Sequence, residues 1–280
     1  MSTDTPITLR IPGAPGALRL AVHGESDRHV SRRLREEGIW EPFETALFQA
    51  ILEPGGTCVD VGANIGYFSV LAAALVGDAG RVFAFEPDPA NCALLRHNAN
   101  LNGHRERIEI VEGALAAADG RARLFLSPDN LGDHQLYAGD EARDSVDVTL
   151  LHGSTYLADR LDRLDLLKID TQGTEHAVVA GLMPLLTSLR RGPRSRMTRI
   201  MVELTPYSLR QAGASGRELI ELLAGLDQPM WIIDHLEHRL AASSAAELAR
   251  WCDNVESWEG DRGFMNILVG DAPAGGQHGR

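Results

Sequence analysis

The chain has almost no lysine. Among 27 Lys and Arg residues in a chain of 280, Lys168 is the single lysine. With 39 acidic residues the net charge is −12 and the pI about 5.3. Neutralising a phosphate backbone takes clustered cations, so a nucleic-acid partner is disfavoured. Cysteine is scarce and odd in number: Cys58, Cys92 and Cys252. No Cys pair and no His/Asp/Glu cluster has spacing specific enough to predict a metal, while Mg²⁺-assisted chemistry through scattered acids that converge in space stays open. A disulfide framework is not expected, which suits the reducing cytoplasm. No apolar run approaches the roughly 20 residues that span a bilayer, so no membrane partner is expected. The first ten residues carry Asp4 and lack the apolar core of a signal peptide. The remaining composition, 44% hydrophobic and 24% charged, is that of an ordinary globular protein. Its length fits one large α/β domain with an extension.

Residues 1–56 read as an N-terminal extension that packs on the core or lids it. Two short strands are expected at 7–11 and 18–22, around a Pro/Gly turn. Asp27 opens a charged helix that Gly38 ends. A second helix starts at Pro42, with Phe43, Leu47 and Ile51 at helical spacing and Ala46 and Ala50 on the same side. Packing on the sheet edge is its expected role; the sharper alternative is a lid with Trp40 and Glu41 at the mouth.

From Thr57 strands and helices alternate, which implies a parallel sheet. Strands are expected at 57–61, 81–85, 108–111, 164–169, 200–204, 230–233 and 264–269. Helices are expected at 65–76, 89–102, 174–187, 217–226 and 245–252. The segment 121–126 alternates polar and apolar residues like a hairpin arm. Residues 127–145 are polar and turn-rich and read as an active-site insertion, and 271–280 as a disordered tail. The fold class is therefore α/β and Rossmann-like, with the main domain at 57–270.

Ligands of an open parallel sheet bind beyond the carboxyl ends of its strands. The first such loop is Asp60-Val61-Gly62-Ala63-Asn64-Ile65-Gly66. It is not a dinucleotide fingerprint, because Asn64 stands at the second glycine position. An acid, Asp60, closes the strand. A carboxylate there repels a pyrophosphate and suits a cationic ligand such as S-adenosylmethionine. Glu86 ends the second strand, where a carboxylate accepts hydrogen bonds from ribose hydroxyls. Glu112 and Ala114 follow the third strand, where an adenine edge would lie.

Three stretches, VDVGANIGYFS, FEPDP and LLKIDTQGTE, together resemble the FkbM family of S-adenosylmethionine-dependent methyltransferases. The resemblance runs from about Trp40 to Leu204. It implies a class I methyltransferase sheet of seven strands with one antiparallel strand near its edge. It also implies methyl transfer to a hydroxyl of a sugar, nucleoside, polyketide or other natural product. Asp60, Gly62, Asn64, Gly66 and Glu86 match the cofactor motifs. Gln172 departs from the family pattern, which often has Glu there, so any role needing a carboxylate at 172 is lost.

Methyl transfer to an alcohol needs alignment, a dry pocket and a proton acceptor. Three catalytic candidates follow. Lys168 and Asp170 alternate on one strand face, and a lysine inside an apolar strand needs a partner. Asp170 would hold the substrate hydroxyl or the cofactor ammonium. His134, in the insertion, is the candidate base, oriented by Asp133 or another acid; a similar Gly-Asp-His stretch occurs in part of the FkbM family. Asp133, Gln172 and Glu203 are candidate substrate contacts. Glu175 reads as first-turn helix chemistry; His152, His176 and His235 carry weaker signals. The expected partner is a small hydroxylated molecule, with homodimerisation open. Two other readings stay open: a nicotinamide-dependent oxidoreductase, disfavoured by Asn64, and a non-catalytic binding module, kept alive by Gln172.

Overall fold

A computed structural model describes residues 5–25, 27–138, 143–191, 198–258 and 260–274. In chain order its elements are β1 (Ile7–Thr8), β2 (Arg19–Leu20), α1 (Val30–Glu37), α2 (Pro42–Ile51), β3 (Thr57–Val61), α3 (Tyr67–Val76), β4 (Arg81–Glu86), α4 (Pro89–Leu101) and β5 (Ile108–Glu112). Then come β6 (Ala114–Ala116), β7 (Gly120–Phe125), β8 (Ser145–His152), α5 (Gly153–Leu157), β9 (Leu166–Ile169), α6 (Glu175–Arg191) and β10 (Arg199–Leu204). The chain continues through α7 (Pro206–Gln211), α8 (Gly216–Ala224), β11 (Met230–Asp234), β12 (Arg239–Ser243), α9 (Ala245–Ser257) and β13 (Met265–Val269).

The main sheet runs β12-β11-β13-β10-β9-β3-β4-β5. Strands β5, β4, β3, β9 and β10 are parallel, and β13 enters antiparallel between β10 and β11. This is the expected seven-stranded arrangement, with β12 added as an eighth strand on its edge. Strand order reverses between β3 and β9, so the loops after these two strands form the ligand crevice.

Alternation along each strand divides the core in two. Cys58 of β3 packs with α2, α3 and α4, whereas Val59 and Val61 pack with α6, α8 and α9. Asp60 and Lys168 pair in register on the same face as Cys58, beneath α3. Phe48 of α2 and Phe68 of α3 close that face, their rings 4.6 Å apart. Such a pair is worth about 0.5–1.5 kcal/mol beyond its area.

Helix α2 buries Glu44, Thr45, Leu47, Phe48 and Ile51, while Ala46 and Ala50 are exposed. The apolar stripe is thus rotated from the expected one. The hairpin arm at β7 pairs with β8, a strand that begins at the end of the expected insertion. Val146 and Val148 alternate there with Asp147 and Thr149. The tail is ordered at its start, where the Arg199 guanidinium donates to the Asp271 carbonyl and Pro273 is buried. Residues 275–280 of the expected disordered tail lie outside the described residues.

Candidate active site

A cavity of about 580 Å3 opens beyond the carboxyl ends of β3, β4, β9 and β10. The loop after β3 forms its floor. Gly62 has φ +80°, and a Cβ there would sit 1.8 Å from the Asp170 carbonyl oxygen. The β3 and β9 loops can therefore touch only because residue 62 is glycine. Asn64 also takes a left-handed conformation, φ +50°.

The loop spends its own amides. Gly62 and Ala63 both donate to the Phe85 carbonyl, and Gly66 donates to Ala63. The Asn64 amide donates to Glu86 Oε2 at 2.8 Å. The Ile65 amide donates to Asn64 Oδ1 at 2.7 Å. No amide from residue 62 to 66 is left to cradle a pyrophosphate, which depends on such donors. The loop offers carboxylates instead. Asp60 is 1% exposed. Its Oδ2 accepts from Ser69 at 2.6 Å, while Oδ1 is shielded from solvent and accepts no hydrogen bond. Burial pushes the Asp60 carboxyl up, with Lys168 and Ser69 opposing. A buried oxygen with no donor calls for one, and a cationic or N–H ligand supplies it. Glu86, pushed up to about 7 by burial, is fixed by the Asp88 and Asn64 amides. Glu86 and Ala114 line the cavity. Glu112 does not; it pairs at 2.9 Å with Arg96. The strand ends at 112, and its side chain faces away from the crevice that Ala114 borders.

Residues 60–228, more than half of the chain, match the methyltransferase FkbM domain family. The chain belongs to this family. A ribosomal protein L11 methyltransferase of Pelotomaculum thermopropionicum is 39% identical over 82 residues, 29% of this chain and 26% of that protein. The 31-O-demethyl-FK506 methyltransferase FkbM of Streptomyces tacrolimicus is 29% identical over 161 residues, 47% of this chain and 61% of that protein. The chain thus spans less than two thirds of either relative. A crystal structure of a methyltransferase FkbM from Methylobacillus flagellatus shares 13% identity, covering 81% of this chain and 51% of that one, with a TM-score of 0.43. The named acceptors of the two relatives differ. The β9 and β10 end of the cavity holds further candidate residues.

On that side Lys168 Nζ donates to Asp170 Oδ2 at 3.0 Å and lies 4.9 Å from the centre of the Phe68 ring. Burial alone would lower its ammonium pKa, but Asp170, Asp60 and Glu41 outweigh that and hold it above its ordinary value. Lys168 is therefore a fixed cation that positions Asp170, and not a base. Gln172, left-handed at φ +54°, donates through one Nε2 to Asp170 Oδ1 at 2.7 Å and Glu203 Oε2 at 3.0 Å. The amide does what a carboxylate at 172 could not: it joins two acids. Burial pushes the Glu203 carboxyl well up, with Asp170, Glu175 and Glu41 adding repulsion. Glu175, wholly buried, accepts from the Thr171 and Gly173 amides and braces the loop, as its helix-start position suggests.

His134 lines the cavity. Its Nδ1 accepts the Ser127 amide at 3.0 Å. A neutral ring bonded that way carries its proton on Nε2, so the edge left for a ligand is a donor. Burial lowers its pKa, with Asp88 and Asp133 opposing; the acid beside Nε2 is Asp88, at 3.9 Å. Asp133 does not line the cavity. It is held by Arg143 at 2.8 Å and by Gln135 at 2.9 Å, which fixes the loop. The insertion still builds one wall, through Asn130, Leu131, Gly132, His134 and Leu136.

Apart from Trp40 and Glu41, which the lid alternative named, the extension's share of the lining left no signal in the sequence. The extension supplies His29, Val30, Arg33, Trp40, Glu41 and Phe43. The body of α2 packs on the core, and Glu41, Pro42 and Phe43 at its start line the cavity. Glu41 has φ +41° and an Oε2 shielded from solvent with no hydrogen-bond partner. Burial, with Glu44 adding repulsion, pushes its carboxyl up to about 8. His235, a weak candidate, also lines the cavity and pairs with Glu44 at 3.1 Å. Among the described residues no group of three His, Cys, Asp or Glu is arranged to hold a metal, and no helix is long and apolar enough to cross a membrane.

Proposed function

We propose that this FkbM domain transfers a methyl group from S-adenosylmethionine to a hydroxyl of a small natural product. The observation that carries the cofactor half is the β3 loop. Its amides are internally spent, and it presents the unpartnered Asp60 Oδ1 and the Glu86 carboxyl to the cavity. That acceptor set fits an ammonium and a ribose and does not fit a dinucleotide pyrophosphate, which removes the support for an oxidoreductase. When bound, the cofactor supplies an electrophilic methyl carbon with sulfur as its leaving group. The chain's own residues then have three tasks. Asp60 and Glu86 anchor the cofactor, and Gly62 lets the β9 loop approach it. Lys168 and Gln172 hold Asp170 in place, and Asp170 takes the hydroxyl proton at a carboxylate oxygen. His134 donates from Nε2 to the acceptor. A cytoplasmic setting is part of the proposal.

Calorimetry with S-adenosylhomocysteine tests the cofactor half; one-site binding is expected, lost in Asp60→Ala. Folded protein that ignores both S-adenosylmethionine and S-adenosylhomocysteine would sink the reading. Radiolabelled methyl transfer to a panel of hydroxylated metabolites tests the other half. Asp170→Asn should keep cofactor binding and lower turnover by about 10²–10⁴-fold, the range for a lost general base.

A further inference from the structure

We propose that the acceptor bears a protonated amine close to its methylated hydroxyl, and that Glu41 is the residue that receives this amine. The inference rests on the methyltransferase reading above and concerns the far side of the same cavity.

Glu41, Asp170 and Glu203 reach this region from the start of α2 and the ends of β9 and β10. Lys168 and Gln172 donate to Asp170, Gln172 also donates to Glu203, Asn266 donates to Glu44, and His235 Nε2 stands 3.1 Å from Glu44 Oε1 without a hydrogen bond. Glu41 Oε2 is left shielded from solvent and without a hydrogen bond. An orphaned buried carboxylate oxygen costs free energy that a donor from a ligand recovers. Lys168 is spent on Asp170, so a cation that reaches Glu41 can ionise it and take its open oxygen. An organic ammonium supplies both the charge and the N–H donor that Glu41 Oε2 lacks.

Asp60 and Glu86 hang from β3 and β4, whereas Glu41 enters the cavity from the start of α2; Lys168 and Asp170 lie near both Asp60 and Glu41. The amine therefore sits beside Asp170, the proton acceptor, and the hydroxyl and amine lie within a few atoms of each other. The rim suits a carbon skeleton between them and solvent. Phe43 and His238 stack with ring centres 5.8 Å apart, and Phe264 is 59% exposed at the mouth. The substrate class is a hydroxylated amine such as an aminosugar or an aminocyclitol.

The test is calorimetry on the full chain saturated with S-adenosylhomocysteine. The probes are trans-2-aminocyclohexanol against trans-cyclohexane-1,2-diol, and 2-amino-2-deoxyglucose against glucose. At least one amine should bind saturably and ten-fold or more tightly than its neutral partner. Glu41→Gln should erase that preference and keep S-adenosylhomocysteine affinity within two-fold. Equal binding within both pairs, or no saturable binding of either amine, would overturn the proposal. So would a ten-fold loss of S-adenosylhomocysteine affinity in Glu41→Gln, which would assign Glu41 to the cofactor. Failure of the wild type to bind S-adenosylhomocysteine would remove the methyltransferase reading alone; the amine comparison, run without it, still decides this one.

Discussion

Replacing Glu41 by Gln is expected to stabilise the protein. The carboxyl is pushed from an ordinary 4.5 up to about 8 in the folded chain, first by burial and then by Glu44. Between those two values the native state holds a proton that the unfolded state releases. Stability therefore falls as pH rises through that window and levels off above it. One unit is worth about 1.4 kcal/mol, so the full interval amounts to roughly 5 kcal/mol and the part reached at pH 7 to roughly 3. Relaxation of the empty site lowers these ceilings, and we expect a gain of about 1–3 kcal/mol at pH 7. For a chain of this size that is a rise in Tm of several degrees, at about 2–4 °C per kcal/mol. Glu86, Asp60 and Glu203 are also raised, so both proteins lose stability with pH. The difference between them isolates Glu41. Urea unfolding at pH 5, 7 and 9 measures it. The gain should be small at pH 5 and largest at pH 9. A variant less stable than wild type at pH 7, or a difference that does not grow with pH, would refute the reasoning.

Lys168→Met removes the cation between Asp60, Asp170 and Glu41, and stranding buried acids should cost about 3–5 kcal/mol, read as a lowered urea midpoint. Gly62→Ala forces φ +80° on an alanine and drives a Cβ into the Asp170 carbonyl; we expect about 3 kcal/mol of destabilisation, from unfolding curves, together with loss of S-adenosylhomocysteine binding. His134→Asn keeps an acceptor for the Ser127 amide, so turnover should fall by less than about ten-fold, and a loss of 100-fold or more would restore the base assignment. Gln172→Glu swaps a shared donor for a third acid between Asp170 and Glu203 and should cost about 1–3 kcal/mol in chemical unfolding, less at pH 5 than at pH 8.

The parallel half of the fold was legible because its strands are short apolar runs closed by Gly or Pro, and its helices carry caps such as Asp88, which accepts the Asn91 amide. Three strands, β6, β8 and β12, were harder, β6 being only three residues long. Strand β8 has a period-two pattern from Val146 onward, but it follows directly on a polar stretch that gives no boundary. Strand β12 follows a hairpin whose turn has neither Asn-Gly nor Asp-Gly. Asp234 makes that turn by accepting the Leu236 and Glu237 amides, and His238 takes φ +48°. Such chemistry is visible once the backbone is known and leaves little trace in composition.

The site divides along the same line. Asp60, Glu86 and the Lys168–Asp170 pair could be read because each is fixed by its own strand and loop. The tautomer of His134 could not, because it depends on an amide seven residues away. Nor could the acid cluster. Register sets Lys168 opposite Met201, and Glu203 follows two residues on, so Asp60, Lys168, Asp170 and Glu203 share one sheet face only after β3, β9 and β10 are aligned. The start of α2 then brings Glu41 and Glu44 to that face from more than 120 residues before Lys168, Asp170 and Glu203. In this setting Gln172 changes meaning. Taken alone it is a missing carboxylate and an argument for a lost activity. Between Asp170 and Glu203 it is the donor that lets two acids stand side by side while Glu41 keeps an oxygen open. The departure from the family pattern is thus better read as a tuning of charge in the acceptor pocket than as decay of the site.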